Sequence, residues 1–532
     1  MKNQFICMPI LGLALFGVAE APAQVTHYVN VNSTNPVMPY TNWETAATII
    51  QEAIGVASSG DLVLVTNGVY ATGVTHFVDT NNQNATIMAR IQIPSGVAVS
   101  SVNGPANTII QGSPYSCACL AGNASLSGFT LTNGTAFFSQ VYDGGGAYCQ
   151  TTNALISNCV ICSNAAGSGG GVYLGTLTDC VVSNNLASYQ NYFGFGGGTY
   201  GSILNRCTLV ANSVLGQYNT GFGGAAFGGI LNDCILASNL VNYTTSSDGY
   251  GGAGCSNVMN NCLIIYNHSG NDGTAVAQGS TLVNCTICYN GALSNSDSSP
   301  LVTGCALRNC VLYGNIYPGN YVEYTSVTNF QDCCLEPEPF HPLNFEYGNN
   351  ITNNPLFVNP AAGDFHLQSN SPCIHSGNNA FVTVTNDLDG NPRIVGGTVD
   401  IGAYEYQTPT SIISYAWLEE YGLPTDGSAD FADTDGNGMN NYQKWIAGLN
   451  PTNPPSILAM ATVVPTNNPA GLAVTWESVS NIIYYLQRSS DLSAQPAFTT
   501  IQTNITGQTN TTTYVDTNAI GAGSFFYRVG VR

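Results

Sequence analysis

The chain has 532 residues, of which 7% are charged and 44% are hydrophobic. Acidic residues outnumber basic ones 30 to 9, which gives a formal charge of −21 at pH 7. Because phosphate contacts need clustered Lys and Arg, this balance argues against nucleic acid as a partner. The hydrophobic fraction excludes a disordered chain, and the length allows several domains or one long repeat array.

Residues 1–23 have the pattern of a secretory signal peptide. Lys2 supplies the positive start, residues 5–18 the apolar core, and Ala21-Pro22-Ala23 the cleavage site. The apolar stretch is too short to span a membrane as a helix, and no second stretch follows it. We therefore expect a secreted or cell-surface protein that is monomeric and has no transmembrane segment after cleavage.

The next predicted element is an amphipathic helix over residues 42–58. Trp43, Ala46, Ile50 and Ile54 recur at helical spacing. We expect this helix to cover the first turn of a repeat array that begins at Leu62.

The array is marked by a cysteine that is followed five residues later by an asparagine. The pair occurs seven times, at intervals of 21 to 28 residues, as Cys159/Asn164, Cys180/Asn185, Cys207/Asn212, Cys234/Asn239, Cys262/Asn267, Cys285/Asn290 and Cys310/Asn315. A repeat of this size predicts a solenoid. Leucine-rich repeats share the period, but here each return path carries a glycine run such as Gly169-Gly170-Gly171, which disfavours a helix. The sequence therefore predicts an all-β, right-handed parallel β-helix over residues 24–350.

The repeated Cys and Asn have structural interpretations. The cysteine and the apolar residue two positions later share one strand face and point inward, since side chains alternate along a strand. Asn tolerates the left-handed turn conformation, and stacked Asn side chains form hydrogen-bonded ladders. An exported protein also allows disulfides, with Cys117/Cys119 and Cys333/Cys334 as the first candidates.

Long insertions after Asn185, Asn212 and Asn239 should lie side by side on three consecutive coils and form an aromatic ledge. The candidate ligand-binding residues are Tyr189, Tyr192, Phe193, Phe195, Tyr218, Phe222, Tyr243 and Tyr250. Two interpretations stay open: the rings stack on sugars of a polysaccharide or cell-surface glycan, or they fold back over the core.

Evidence for catalysis in the sequence is weak. A glycosidase needs two carboxyls around one bond, and the candidates Asp143, Asp248 and Asp272 each precede a glycine corner. Solvated turn acids are the alternative interpretation. Residues 25–407 contain four arginines and no lysine, which argues against a lyase of anionic polymers.

The repeats resemble those of polymorphic outer-membrane proteins and of pectin-lyase-like β-helices. Two later segments, Asn354–Cys373 and Asp387–Glu405, resemble a choice-of-anchor Q domain. The resemblance implies an extracellular bacterial β-helix whose end is formed by residues 351–407, but no single activity. Asp387, Arg393, Asp400 and Glu405 are interpreted as ion pairs and turn caps that close this end, with a binding site as the alternative.

Residues 408–455 contain a short helix, an acidic loop and a linker. Oxygen-bearing side chains at alternate positions, with glycine at the sixth, match the start of an EF-hand-type or dockerin-like calcium loop. The candidate calcium ligands are Asp433, Asp435, Asn437, Met439 and Asn441. Lys444 departs from the pattern, because it stands at the twelfth position where a glutamate normally closes the coordination sphere, so Asp426 or Asp430 would have to supply the missing oxygens. A turn-rich acidic linker without metal is the alternative.

Residues 456–532 alternate as short strands and predict a small β-sandwich that is similar to fibronectin type III. Three functional hypotheses follow for the whole chain. It is a non-catalytic binder of glycans or surfaces, a polysaccharide lyase or glycoside hydrolase, or purely structural surface material.

Overall fold

The computed structural model describes residues 24–79, 85–137, 142–188, 194–216, 221–243, 249–270, 274, 276–292, 301–315, 329–336, 348–467, 469–519 and 523–531. Most of the chain to residue 351 is a parallel β-solenoid, as the repeat predicts. Each coil contributes one short strand to each of several sheets that run the length of the solenoid.

Four sheets make the wall of the solenoid. Sheet 1 has twelve strands: Thr26–Val29, Leu62–Val65, Ala98–Ser101, Ser125–Ser127, Leu155–Ser157, Thr176–Thr178, Ile203–Asn205, Ile230–Asn232, Val258–Asn260, Thr281–Val283, Ala306–Arg308 and Asn329–Gln331. Sheet 2 has eleven strands: Gly68–Tyr70, Thr108–Gln111, Thr130–Thr132, Val160–Cys162, Val181–Ser183, Thr208–Val210, Ile235–Ala237, Leu263–Ile265, Thr286–Cys288, Val311–Tyr313 and Cys334–Leu335.

Sheet 3 has ten strands: Thr75–Asp79, Ala85–Ile93, Ser116–Leu120, Ala147–Cys149, Val172–Tyr173, Thr199–Tyr200, Ala226–Phe227, Gly254–Cys255, Ala277–Gln278 and Val302–Thr303. Its first two strands pair antiparallel and the others parallel. Sheet 4 has six strands: Ala165–Ala166, Leu186–Ala187, Ser213–Gly216, Leu240–Tyr243, His268–Ser269 and Gly291–Ala292. Strands Gly221–Phe222 and Gly249–Tyr250 form a separate pair.

The core confirms the inward stack of cysteines. Cys180 and Val182 are 1% and 0% exposed, and the equivalent residues of neighbouring coils are equally buried. All seventeen cysteines of the described chain are free thiols. The two candidate disulfides do not form: Cys117 and Cys333 pack in the solenoid core, whereas Cys119 and Cys334 pack in clusters outside it.

The asparagine ladder is confirmed, but its conformation differs from the prediction. Each amide donates to the next one along the axis, as in Asn185 Nδ2 to Asn212 Oδ1 at 2.9 Å and Asn212 Nδ2 to Asn239 Oδ1 at 3.0 Å. The left-handed conformation belongs to the residue before each ladder Asn, for example Asn184 with φ 53° and Ala211 with φ 54°. The corner is therefore made one residue earlier, and this turns the amide into the core.

The N-terminal cap is shorter than predicted. It consists of a 3₁₀-helix, Trp43–Thr45, and an α-helix, Ile50–Val56, which buries Ile50 and Ile54. Ala47 is extended between them and exchanges backbone hydrogen bonds with Tyr28 and Asn30. The first coil thus begins at strand Thr26–Val29 rather than at Leu62.

Residues 351–407, the flank segment, continue from the last coil, where Ile351 pairs with Cys334. They lie along the outer face of sheet 2, where the side chains of Asn261, Thr286 and Asn309 bond to the backbone of residues 378–403. The segment contains the strands Phe357–Asn359 and Asp364–Leu367 and the 3₁₀-helices Pro360–Ala362 and Asn379–Phe381. Leu263, Val311 and Cys334 point outward from sheet 2 and pack against it, which explains why these outward positions are apolar.

The C-terminal part contains two α-helices and two three-stranded antiparallel sheets. The helices are Tyr415–Glu420 and Asn441–Ile446. One sheet contains Met460–Asn467, Ala470–Ser478 and Asn510–Asp516, and the other contains Thr499–Thr506, Ile483–Ser489 and Phe526–Val531. Trp476 and Tyr484 join the two sheets in one core, with ring centroids 5.9 Å apart.

Candidate functional site

Two columns of side chains run along the outside of the solenoid at sheet 3. Column 1 consists of residues aligned by parallel bridges, namely Asp143, Ser168, Phe195, Phe222, Tyr250 and Thr274. All of them except Thr274 directly precede a glycine corner. Column 2 lies on sheet 3 itself and consists of Tyr148, Tyr173, Tyr200, Phe227, Cys255, Gln278 and Thr303.

The glycine corner is what places the two columns side by side. At Gly223 φ is +70°, and an added Cβ would lie 2.2 Å from the Ala226 carbonyl oxygen. No side chain fits there, so the chain reverses sharply between Phe222 in column 1 and Phe227 in column 2. The same corner recurs at Gly196 between Phe195 and Tyr200.

The rings within each column stack on one another. In column 2 the centroid distances are 5.1, 5.0 and 5.3 Å from Tyr148 through Phe227, with interplanar angles of 8°, 8° and 18°. In column 1, Phe195, Phe222 and Tyr250 are spaced at 5.4 and 5.6 Å. The spacing follows that of neighbouring strands, about 4.8 Å. The ring faces inside a column are therefore covered by other rings.

The columns also contact each other. Phe195 meets Phe227 edge-on at 4.9 Å and 62°, and Phe222 meets Phe227 at 6.2 Å and 64°. The rings are half-buried. This geometry indicates that the central rings stack on one another and cover the coil beneath them. Among the described residues, a ring at the end of a column is the one left to stack on a ligand.

The aromatic part of column 2 ends at Phe227, and the change from this ring to the smaller Cys255 on the next coil is called the step. After Phe227 the next three positions carry the small or flexible side chains Cys255, Gln278 and Thr303. A cavity of about 460 Å³ lies over this floor, with the rings of Phe195, Phe222 and Phe227 among its walls. Phe227, the last ring of column 2, and Cys255, its neighbour on the next coil, both line this cavity.

A carboxyl group with altered acidity lies at the other end of column 1. Burial raises the pKa of Asp143 to about 6, although a hydrogen bond with Ser168 acts in the opposite direction. Burial and then the charge of Asp143 raise the pKa of Tyr173, to about 12. Asp143 can therefore hold or release a proton near neutral pH beside the tyrosines of column 2.

Asp79 is the other carboxyl near these tyrosines, but it is 2% exposed and already paired. It accepts hydrogen bonds from the Tyr148 hydroxyl and from Gln150 Nε2. Asp79 thus fixes the first ring of column 2 rather than facing solvent.

The structure brings together three of the eight predicted ledge residues, Phe195, Phe222 and Tyr250. Tyr189, Tyr192, Phe193, Tyr218, Asp248 and Asp272 lie outside the described residues, and only the backbone of Tyr243 is described, at the end of a sheet 4 strand. Sequence reasoning missed Tyr173, Tyr200 and Phe227. The sequence signal that could have found them is their spacing: each stands five residues after the residue that precedes a glycine corner.

The acidic loop holds an internal cation. The Lys444 ammonium donates to Asp435, and the two side chains are 0% and 1% exposed. Asp433 accepts backbone N–H groups from Gly436, Asn437 and Gly438, foremost that of Gly438, and these lower its pKa. The twelfth position of the loop thus supplies a positive charge to a predicted calcium ligand.

The other predicted or compensating ligands have partners of their own. The buried amide of Asn441 bonds to Ala429 and Thr434. Asp430 accepts from Ser411 and from the Ile412 backbone, and Asp426 accepts from Ser428. Among the described residues, no group of three or more His, Cys, Asp or Glu side chains is placed to hold a metal ion. The donor set fits an ammonium ion better than calcium, and calcium binding stays a prediction.

The charged residues of the flank segment act as turn caps, as interpreted from the sequence. Asp400 accepts from the backbone of His375 and Tyr406, and Glu405 accepts from Val395 and Asp400. Arg393 is 1% exposed and donates to the carbonyls of Asp400 and Gly402. Their side chains hold the segment together rather than forming an open site.

No protein-family model matches the chain, and no curated protein sequence matches it. The likeness to a choice-of-anchor Q domain therefore stays a prediction.

Solved structures similar to the chain include a pectate lyase, Pel9A, which is 15% identical over 72% of this chain and 96% of that chain, with a TM-score of 0.44. A rhamnogalacturonan lyase is 14% identical over 75% and 99%, with a TM-score of 0.35. A polygalacturonase from Erwinia carotovora ssp. carotovora is 10% identical over 62% and 100%, with a TM-score of 0.27. Scores this low carry no argument about function.

Proposed function

We propose that this protein is an exported binder of neutral polysaccharide, and that the outer face of sheet 3 is its binding surface. The observation that carries the proposal is the step after Phe227, where an aromatic column ends over a cavity of about 460 Å³. Aromatic faces stack on the apolar faces of sugar rings. Phe227 is stacked on Tyr200 and also lines the cavity. One sugar ring fits a space of this size.

The floor of the cavity supplies polar groups of the kind that orient a sugar. Ser256, Gln278 and Thr303 line it, and the Gln278 side-chain oxygen accepts from the Cys255 thiol at 3.6 Å. The lining residues include no charged side chain. Together with the net charge of −21, this favours a neutral chain over an anionic one.

The proposed location outside the cell rests on the signal-peptide pattern of residues 1–23, which lie outside the described structure. Within the described residues, no helix is long and apolar enough to cross a membrane.

Binding to immobilised neutral polysaccharides (xylan, mannan, galactan and β-glucan), with polygalacturonate for comparison, tests the proposal. We expect saturable binding to a neutral polymer that Phe227→Ala weakens at least about tenfold. Tyr266→Ser is the control, because Tyr266 is also stacked on a neighbouring ring, Tyr289 at 5.7 Å, but at the corner that follows the sheet 2 strand Leu263–Ile265. Equal binding by wild type and Phe227→Ala, or binding to polygalacturonate alone, would contradict the proposal.

A second candidate function is acid–base cleavage of the bound chain, and Asp143 is the observation that favours it. Its pKa of about 6 suits a group that exchanges a proton near neutral pH. The only neighbouring carboxyl identified among the described residues, Asp79, is buried and paired, so the two-carboxyl geometry of a glycosidase is incomplete there. Release of reducing ends or unsaturated products, abolished by Asp143→Asn, would establish this function; no release from any bound polymer would dismiss it.

A further inference from the structure

A second, larger cleft of about 930 Å³ lies where the last coils, the flank segment and the two C-terminal helices meet. It is lined by Asp332 and Asn349 from the end of the solenoid and by Asn378 from the flank segment. Trp417 and Trp445 reach it from the two helices. The cleft is separate from the cavity at sheet 3, because the two share no lining residue.

Aromatic side chains line part of the cleft. Helix Tyr415–Glu420 buries Tyr415 and Leu418 in the core, so Trp417 and Tyr421, four positions apart, share another side of it. Their rings meet edge-on at 5.1 Å. With Trp445 of the next helix they give three half-buried rings that line the cleft.

The cleft is also lined by polar groups that are held in place. Asp332 is 5% exposed, and its two oxygens accept from Asn349 and Asn378, each at 3.2 Å. Burial raises the pKa of Asp332, and these two hydrogen bonds act against that rise. The cleft therefore presents fixed amide and carboxyl groups that do not have to be ordered when a ligand binds.

The charges of the cleft select among ligands. Its lining residues contain the acids Asp332 and Glu420 but no lysine or arginine. An anionic ligand would meet repulsion there, whereas a polyhydroxylated neutral ligand can pair with the amides and stack on the rings. We propose that this cleft binds a neutral oligosaccharide, as a second carbohydrate site that is independent of the sheet 3 cavity.

Tryptophan fluorescence tests this directly, because two of the four tryptophans line the cleft. Of the others, Trp476 is fully buried in the C-terminal sandwich and Trp43 lies at the N-terminal cap. We expect cellohexaose, xylohexaose or mannohexaose to change the emission saturably, with a Kd that rises at least about tenfold in Trp445→Ala. Trp43→Ala is the matched control and keeps the wild-type Kd.

Phe227→Ala separates this site from the proposed function, since it leaves the fluorescence titration unchanged even where polymer binding is lost. Tyr421→Ala serves as a second variant if Trp445→Ala loses its native circular dichroism. The proposal is overturned if no hexaose gives a saturable change, if the cleft variants keep the wild-type Kd, or if trigalacturonate binds as well as the neutral sugars.

A different observation, the buried pair of Lys444 and Asp435, carries a second inference. Lys444 stands at the position where a calcium loop normally has its closing glutamate. Its Nζ contacts Asp435, the third-position ligand, and lies 3.4 Å from the Asn450 carbonyl oxygen. We propose that the ammonium group of Lys444 takes the place of the calcium ion in this loop, so that the loop folds without metal.

The charges in the loop support the replacement of calcium by the Lys444 ammonium group. A calcium ion on Asp435 would bring a dication next to a fully buried ammonium, and the two would repel strongly at coordination distance. Asp433 accepts three backbone N–H groups of the loop, and these hydrogen bonds hold the turn in a structure without metal.

Thermal unfolding in the presence of calcium or of EGTA tests whether Lys444 replaces the metal. We expect the wild type to have the same Tm in both, and Lys444→Glu to have a lower Tm in EGTA that calcium restores, with one calcium bound by calorimetry. Lys444→Gln is the control: it loses the ion pair and does not respond to calcium. A fall in the wild-type Tm on chelation, calcium binding by the wild type, or a Lys444→Glu variant that ignores calcium would each overturn the proposal.

Discussion

The interior amide ladder and the outer aromatic columns are built by the same coils, yet they differ in how far they repeat. The ladder continues without interruption from Asn164 to Asn315, and every member that links two others is almost fully buried. Column 2 keeps its rings only from Tyr148 to Phe227 and then changes to small and polar residues. In a solenoid each coil packs on the next, so a column that supports the fold has to continue. Where a column stops, the packing of one coil on the next no longer requires a particular type of side chain at that position.

The largest effect should come from breaking the ladder inside. Asn212→Asp replaces a buried amide donor by a carboxylate that faces Asn239 Oδ1, so we expect a loss of at least about 3 kcal/mol in the free energy of unfolding. Equilibrium urea unfolding measures it. Asn232→Asp is the matched control, because Asn232 belongs to a half-buried amide row on the outside of sheet 1; there we expect less than about 1 kcal/mol. Equal losses in the two variants would mean that burial does not distinguish the rows.

An intermediate effect should follow from removing a central ring of column 2. Tyr173 is stacked on both sides, so Tyr173→Ala should cost about 2 kcal/mol of stability through two lost ring contacts and the packing beneath them. Because its faces are covered, polymer binding by the folded variant should match the wild type. A stable Tyr173→Ala variant that has lost binding would show that the central rings, not the step, contact the ligand.

The last effect, which shows only when the pH is changed, concerns Asp143. Its pKa in the folded protein, about 6, lies above the ordinary value of 3.8, so the folded state binds more protons between these values. This contribution to stability is present below about pH 3.8 and is lost as the pH rises through about 6. We expect the Tm of Asp143→Asn, relative to the wild type, to rise across that window and then to level off. A constant difference at all pH values would show that Asp143 titrates normally.

Much of the solenoid could be predicted because its information is local and repeated. The Cys-to-Asn spacing fixed the phase of every coil, and the glycine runs located the corners that place Phe195 and Phe222. Column 2 was missed because each of its members lies in a strand of only two or three residues, too short to show alternation. Two other features depend on long-range contacts that spacing does not encode: the flank position of residues 351–407, set by bonds such as Asn309 to Asn378, and the first coil at Thr26–Val29.

The interior thiols have a practical consequence for following how the molecule comes apart. Cys159, Cys180, Cys207, Cys234 and Cys262 lie in successive coils, are at most 1% exposed, and are not tied in disulfides. An alkylating reagent can reach such a thiol only when its own coil opens. Peptide mass spectrometry after timed alkylation would then report the order of opening along the axis. The natural sequence thus carries a graduated probe of its own unfolding, and no engineered label is needed to read it.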